Sequence, residues 1–201
     1  MRFAPTTFRP AFGRGLSIVI AAIALAGLVG LVVGAEWLAL VRYGWAFLLV
    51  GFVGFALFWM PRLDITEQEV TVRNVFTTEH VPWHSIERID TKYALTLYTD
   101  ARKITVWASP APTRYAAQVG ATGDARLAAS VAGTNPRPGD LLDTQSGAAA
   151  FVIRRHLDDL REDNLLIVTG ADAAIVRRDI HWSTIAGLAA LTLATLLGGA
   201  L

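Results

Sequence analysis

The chain has 201 residues, of which 53% are apolar and 17% charged, a shift from the globular average toward membrane composition. It contains no cysteine, which excludes disulfides and thiolate metal ligands. The polar stretch from 62 to 180 holds 14 Lys or Arg against 16 Asp or Glu, so it lacks the excess of positive charge that nucleic-acid binding needs.

Three apolar stretches are long enough to be transmembrane helices. After a basic N-terminal tail at 1–15, a hairpin of spans is predicted at about 16–35 and 44–60, and a third span at 181–201. A helix rises about 1.5 Å per residue, so about 20 residues cross the hydrocarbon core. The second span is short, but aromatic residues typical of the membrane interface stand near its two ends: Tyr43, Trp45, Phe58 and Trp59. The alternative for each span is a buried helix of a soluble protein.

Lys and Arg residues that flank the spans predict their orientation. Most lie on one side of the predicted membrane: Arg2, Arg9, Arg14, Arg62, Arg177 and Arg178. The connection between the first two spans has only Arg42, together with Glu36. This pattern predicts a multi-pass protein of the cell membrane, with the central module in the cytoplasm and the C-terminus at the outer side. The first 35 residues also resemble a cleavable signal peptide, an alternative that leaves the module cytoplasmic.

Small residues recur at every fourth position in the first and third spans. They are Ala22, Ala26, Gly30 and Gly34, and Ala186, Ala190, Ala194 and Gly198. Such stripes let helix backbones approach closely in lipid, where packing drives association. We predict that they are helix-packing faces, with a partner that is intramolecular, a second copy or another protein. The alternative is chance, because Ala and Gly are common in such helices.

Residues 62–108 predict an antiparallel meander of short strands. Apolar and polar residues alternate there, and turn residues recur at short intervals. Trp83 to Ile86 is interpreted as a short turn that packs Trp83 and Ile86 inward.

A different composition begins at residue 109. Residues 109–145 are rich in Pro, Gly, Ala and Thr, and predict a long flexible insert. Residues 146–162 are expected to complete the module that 62–108 begins, with a helix from Ala148 to Arg161 and Ser146 as its N-cap. One face of this helix is apolar, with Ala149, Ile153, Leu157 and Leu160. Residues 163–180 are expected to be a linker or short strands.

One pattern in the meander resembles a known family. Val72, Arg73 and Asn74 are followed by Pro82, Trp83 and Ile86 at the spacing of the bacterial PH-like domain. The chain is most similar to the version in small actinobacterial membrane proteins related to the low-molecular-weight protein antigens. The resemblance implies an antiparallel, partly open barrel with a C-terminal capping helix, and a structural role for these six residues. The expected fold class is therefore membrane α-helical anchors plus a β-rich PH-like module.

No catalytic or metal-binding constellation is recognisable in the sequence. His80 and His84 are four residues apart, but Pro82 prevents the continuous helix that would bring them to one metal. A PH-like domain also suggests phosphoinositide binding. Asp64, Glu67 and Glu69 occupy the corresponding hairpin, however, and carboxylates repel a phosphorylated head group. We expect no cofactor, no metal and no specific phosphoinositide ligand.

The leading hypothesis is a non-enzymatic, membrane-anchored PH-like interaction module. It would act as a binding or accessory subunit of a membrane complex at the cytoplasmic face. The expected partners are the lipid bilayer and a protein, or a second copy, bound through the transmembrane helices, and nucleic acid is not expected. The alternatives are a lipid-sensing membrane module and an unrecognised membrane enzyme.

Overall fold

The computed structural model describes residues 5–110, 144–163 and 175–200. The elements follow in the order β1 (Thr6–Phe8), α1 (Ala11–Val33), α2 (Trp37–Phe58), β2 (Arg62–Ile65), β3 (Glu69–Arg73), β4 (Thr77–Pro82), a 3-10 helix (Trp83–Ser85), β5 (Ile86–Asp90), β6 (Ala94–Thr99), β7 (Lys103–Pro110), α3 (Gln145–Glu162), β8 (Arg177–Ile180) and α4 (Trp182–Ala200). The described residues form two compact units. The helical unit comprises 10–61, 75–77 and 180–200, and the sheet unit comprises 5–9, 62–74, 78–110, 144–163 and 175–179.

The helical unit contains three helices that are long and apolar enough to cross a membrane. At about 1.5 Å per residue, even the 19 residues of α4 extend over about 28 Å. The helix α1 begins after Pro10, whose extended backbone marks the boundary, and ends at Gly34. A tight turn then leads into α2, and Ala35 in this turn has a left-handed φ of 54°. These helices overlap the three predicted spans, but α2 begins at Trp37 rather than at 44, so its 22 residues are not the short span expected.

Glycines allow the helices of this unit to pack closely. A methyl group at Gly27 of α1 would overlap the ring of Phe47 on α2, and one at Gly54 would lie 2.7 Å from Ile20 on α1. A methyl group at Gly187 of α4 would lie 3.0 Å from Phe52 on α2. A larger residue at these positions would require the facing side chain to shift, so the glycines favour the close approach of the helices.

The sheet unit contains two sheets whose ladders do not close into a continuous barrel. The first has the strand order β1-β2-β3-β4-β8 and the second β5-β6-β7. In the first sheet the antiparallel register places Leu63 opposite Val72, and Val72 opposite Glu79. Alternation along these strands directs one set of side chains into a common core.

The core lies between the sheets and α3. It includes Leu63, Ile65, Val70, Val72, Val81, Leu95, Leu97 and Val106, all 0% exposed. Ala149 and Ile153 of α3 are also fully buried, and Leu157 is 3% exposed. Trp83 and Ile86 are 4% exposed each, which confirms that the turn between β4 and β5 packs both side chains inward.

Some boundaries differ from those expected. The N-terminal tail at 1–15 contains β1, which pairs with β2, and α1 begins inside it, at Ala11 rather than at 16. The expected N-cap Ser146 is wrong, because Thr144 caps α3 and its Oγ1 accepts a 3.0 Å hydrogen bond from Gly147 N. The segment 163–180 contains β8. The greater part of the expected insert, 111–143, lies outside the described residues, as does 164–174.

Candidate interaction surface

The second sheet presents one face to the core and the other to solvent. Its inward residues are Ile86, Leu95, Leu97, Ile104 and Val106. Since successive side chains on a strand point to opposite faces, the outward positions carry a different set. Arg88, Lys103 and Trp107 are exposed there, Asp90, Tyr98 and Thr105 are half-buried, and Thr96 is buried. We call Arg88, Tyr98, Lys103 and Trp107 the basic-aromatic face.

Three residues of this face form a row across the three strands. Arg88 of β5 pairs with Tyr98 of β6, and Tyr98 pairs with Lys103 of β7. The guanidinium carbon of Arg88 lies 3.9 Å from the centre of the Tyr98 ring, and the ammonium of Lys103 lies 5.6 Å from it. Both distances are within the range of cation–π attraction. The ring therefore orders two exposed cations on one surface.

A bulge and an exposed indole complete the face. The β5–β6 pairing is irregular between Ile86 and Arg88, which leaves Glu87 out of the regular ladder. Trp107 lies two outward positions beyond Lys103 on β7 and is 49% exposed. Trp, Tyr and Arg are the residues most enriched at the energetic centres of protein interfaces. The face thus has the composition of a binding surface.

A buried carboxylate lies in the first sheet. Glu79 of β4 is 5% exposed, and its two oxygens lie 3.3 Å from Arg102 Nη1 and 3.0 Å from Arg178 Nε. Burial raises the pKa of Glu79 above its ordinary value, while the charges of the two arginines act in the opposite direction. Arg102 lies in the β6–β7 turn and Arg178 in β8, so this carboxylate joins three parts of the sheet unit.

His80, the next residue of β4, lies on the opposite face of the strand. Its Nδ1 is 2.6 Å from Glu69 Oε1, and its Nε2 is 3.4 Å from Asp179 Oδ2. Thr71 also donates to the same Glu69 oxygen, at 3.0 Å. Glu79 and His80 therefore hold the exposed strand β8 through both of its faces.

The described ranges hold no group of three or more His, Cys, Asp or Glu side chains that could bind a metal ion.

In the β2–β3 hairpin, the carboxylate of Asp64 is bound by neighbouring side chains of the protein. Asp64 accepts from Thr7 Oγ1 at 2.8 Å and pairs with Arg62 at 2.9 Å. Glu67 is exposed. Because Asp64 is paired with Arg62, Glu67 is the exposed carboxylate of the hairpin, and repulsion of a phosphorylated ligand remains a prediction.

Asn74 links the two sheets through its side-chain amide. Its Nδ2 donates to Thr105 O at 2.9 Å, and its Oδ1 accepts from Trp107 N at 3.0 Å. The amide thus pairs with the backbone of β7 as a neighbouring strand would, at an edge that pairs with no other strand among the described residues. It also fixes the backbone of Trp107, a member of the basic-aromatic face.

Trp83 connects the hairpin, the core and the helix. Its Nε1 donates to Thr66 O at 3.0 Å, and its ring meets the His156 ring edge-on with 4.6 Å between centroids. Val72 and Pro82 are buried, and Arg73 is half-buried at the end of β3. Asn74 therefore connects the end of β3 to β7, and Trp83 connects the β2–β3 hairpin to α3.

Residues 60–159 match the family model described as Bacterial PH domain. The chain carries a bacterial PH domain. The match begins just after α2 and ends within α3, so it covers β2 to β7 together with most of the helix. No curated protein and no solved structure matches the chain. The resemblance to the actinobacterial antigen type remains a prediction.

The PH domain accounts for the order of elements and for the fold class expected from the sequence. PH domains are generally non-catalytic interaction modules, and this one accompanies three apolar helices that suggest membrane association. The chain therefore combines a PH domain with three helices whose length and composition suggest membrane association.

The structure places the small-residue stripes mainly on exposed helix faces. Ala22, Ala26 and Gly30 of α1 are exposed, and a methyl group at Gly30 would meet nothing within 4 Å. On α4, Ala186 and Ala190 are exposed and Ala194 is half-buried. Gly198 is the buried residue of this stripe, since α2 approaches it closely. A methyl group at Gly198 would lie 2.8 Å from Arg42 O. Gly34 caps the end of α1. A role of these faces in packing remains a prediction.

The sequence did not single out the basic-aromatic face. The alternation of Leu95 and Leu97 with Tyr98 places this ring outward, and the same holds for Trp107 beside Val106. The row of Arg88, Tyr98 and Lys103 depends on cross-strand register, which a bulge alters and which no single strand reveals.

Proposed function

We propose that this protein is a membrane-anchored PH module that binds a protein partner at the cytoplasmic face, as an accessory subunit of a membrane complex. The observation that carries the proposal is the basic-aromatic face, in which Tyr98 orders Arg88 and Lys103 at 3.9 Å and 5.6 Å. An ordered cation loses less conformational freedom on binding than a free one. The partner surface that fits is acidic and contains apolar groups for Trp107.

The proposed anchoring rests on the three apolar helices and on the flanking arginines. The protein holds the PH domain at the membrane surface, so a partner in the same membrane meets it at high effective concentration. Such a module needs no catalytic group, and we propose that the protein is not an enzyme.

A lipid-sensing role is the second candidate, because the same row of cations also suits an anionic head group. The carboxylates of the β2–β3 hairpin oppose it, because they repel a phosphorylated head group. The basic-aromatic face also combines arginine with tyrosine and tryptophan, the residue types most enriched at the energetic centres of protein interfaces, and this favours a protein partner.

The test is affinity purification of the full chain in mild detergent, with identification of co-purifying proteins and lipids by mass spectrometry. We compare the parent with Arg88→Glu and Lys103→Glu. Arg155→Glu is the matched control, because Arg155 is an exposed arginine on α3, away from the row. The expected result is a stoichiometric protein that is lost in both face variants and kept in the control.

Two other outcomes would contradict the protein-partner proposal. Enriched phospholipid that is lost in the face variants, without a protein, would establish the lipid-sensing role. A protein that still co-purifies with both charge-reversal variants would show that it binds outside the basic-aromatic face, and the transmembrane helices would be the next candidate site.

A further inference from the structure

The turn between β3 and β4 lies with the helices. Residues 75–77 belong to the helical unit, although the strands on either side of them are part of the first sheet. His181 N donates to Phe76 O at 2.8 Å, and His181 Nδ1 lies 3.1 Å from Val75 O. Because a carbonyl oxygen only accepts, Nδ1 carries the proton in this contact. One residue thus holds two successive carbonyls of the turn.

His181 is also the residue from which α4 begins. Its carbonyl accepts hydrogen bonds from Thr184 N at 3.1 Å and Ile185 N at 3.2 Å, so it serves as the first acceptor of the helix. The turn is therefore fixed at the very start of α4 rather than along its length.

The start of α4 lies at the same end of the helical unit as the start of α1 and the end of α2. A methyl group at Gly13 of α1 would lie 3.2 Å from Phe58 O at the end of α2. The far end of α4 meets the beginning of α2, since a methyl group at Gly198 would lie 2.8 Å from Arg42 O. The helix α4 thus runs antiparallel to α2.

This end of the unit carries aromatic and basic residues together. The guanidinium carbon of Arg14 lies 4.8 Å from the centre of the Trp59 ring. Trp59 is 37% exposed, and Trp182 at the start of α4 is 70% exposed. Exposed Trp beside Arg at helix ends is typical of the boundary between lipid head groups and acyl chains.

Phe76 is the apolar side chain that the fixed turn leaves outside the protein. It is 42% exposed, whereas Val75 is 1% and Thr77 is 9% exposed. We propose that Phe76 enters the interfacial layer of the lipid bilayer and that His181 holds it there. This inference rests on the proposed spanning of the membrane by the three helices. It gives the PH domain a lipid contact through the β3–β4 turn, distinct from the basic-aromatic face.

The absence of cysteine makes the proposal directly testable with single nitroxide labels. The full chain carrying Phe76→Cys is labelled and reconstituted in vesicles of phosphatidylcholine and phosphatidylglycerol. Collision rates are measured with oxygen, which partitions into lipid, and with a water-soluble nickel complex. Tyr93→Cys, 78% exposed in the turn between β5 and β6, is the aqueous control, and Ile23→Cys, 64% exposed near the middle of α1, is the lipid control.

The expected result is a ratio of oxygen to nickel collisions at position 76 that lies well above that at 93 and below that at 23. A ratio at 76 equal to that at 93, with 23 in lipid, would overturn the inference and leave the membrane anchoring intact. A label at 23 that collides freely with nickel would instead contradict the anchoring itself. A label at 76 shielded from both reagents would show that protein covers Phe76, which also overturns the lipid contact.

Discussion

At the scale of single residues, His156 is a buried ionisable group at the junction of helix and hairpin. It is 9% exposed and packs edge-on against Trp83. Burial lowers the pKa of His156 below its ordinary value, while Asp159 and Glu67 act in the opposite direction. The folded PH domain therefore binds this proton less tightly than the unfolded chain does.

This difference in proton binding makes the free energy of unfolding depend on pH. The unfolded chain takes up the proton near pH 6.5, so the free energy of unfolding is fully present above that value and falls as the pH decreases below it. The limit for one proton is about 1.4 kcal/mol per pH unit. Glu79 has the opposite effect, because a raised pKa stabilises the folded state as the pH falls. The contribution of His156 is therefore measured as the change that its removal makes in the unfolding midpoint of the full chain in detergent between pH 7 and pH 5, followed by near-ultraviolet circular dichroism.

His156→Phe is the diagnostic variant, because it keeps a ring against Trp83 and removes the proton. We expect this variant to lose less stability than the parent between pH 7 and pH 5. An unchanged slope in His156→Phe would assign the pH dependence to other groups.

Asn74 is the second residue whose side chain has a definable energetic role. Asn74→Ala removes the hydrogen bonds to Thr105 O and Trp107 N, at about 1 kcal/mol each. We expect a loss of about 1–3 kcal/mol in urea unfolding of the full chain. Asp100→Ala, in the exposed β6–β7 turn, should stay within about 0.5 kcal/mol of the parent. An Asn74→Ala variant as stable as the control would mean that water replaces the amide at this edge.

At the scale of elements, the sequence predicts those with a strong period or a long apolar run. The three helices, the strands from β2 to β7 and the apolar face of α3 follow from such patterns. The strands β1 and β8 do not, because Thr6–Phe8 is too short to show a period and all four residues of β8 are exposed. β8 is held instead by Glu79 and His80, through contacts that only the folded chain brings together.

Spacing likewise shows that small residues share a helix face without showing what that face meets. Gly27, outside both predicted stripes, is the residue that accommodates Phe47, whereas Gly30 faces open space. Fourfold spacing is the same whether the neighbour is a helix of this chain, another chain or lipid. The bulge in β5 limits the prediction of the basic-aromatic face for a similar reason, since register is a property of two strands.

This difference between two glycines gives a prediction for the α1–α2 pair. A cysteine at Gly51 would have its Cβ 3.6 Å from that of Ala24, a spacing that suits a disulfide. In the Ala24→Cys, Gly51→Cys background, we expect oxidation to form this intramolecular bond. Adding Gly27→Leu should reduce its yield, because the side chain overlaps Phe47, and adding Gly30→Leu should not. Equal yields in the two would mean that the helices repack around leucine at Gly27.

The same pair of variants tests the predicted stripe. If Gly30 packs against a second copy or another protein, Gly30→Leu should weaken chemical crosslinking between chains in membranes and keep the intramolecular disulfide. Crosslinking that is unchanged would favour the alternative that the stripe reflects composition alone.

At the scale of the whole molecule, the prediction concerns the side of the membrane on which the PH domain lies. Arginine is concentrated at the start of α1, the end of α2 and the start of α4, whereas the α1–α2 turn has Glu36, with Arg42 further along within α2. Positively charged flanks are retained in the cytoplasm.

Asp100→Cys places a single thiol in the exposed β6–β7 turn, and Glu36→Cys places one in the α1–α2 turn. With a membrane-impermeant maleimide, we expect Asp100→Cys to react in inverted vesicles and Glu36→Cys in right-side-out vesicles. The reverse result would put the PH domain outside the cell and contradict the proposed partner site, and reaction of both thiols on one side would mean that α1 and α2 do not cross the bilayer as a hairpin.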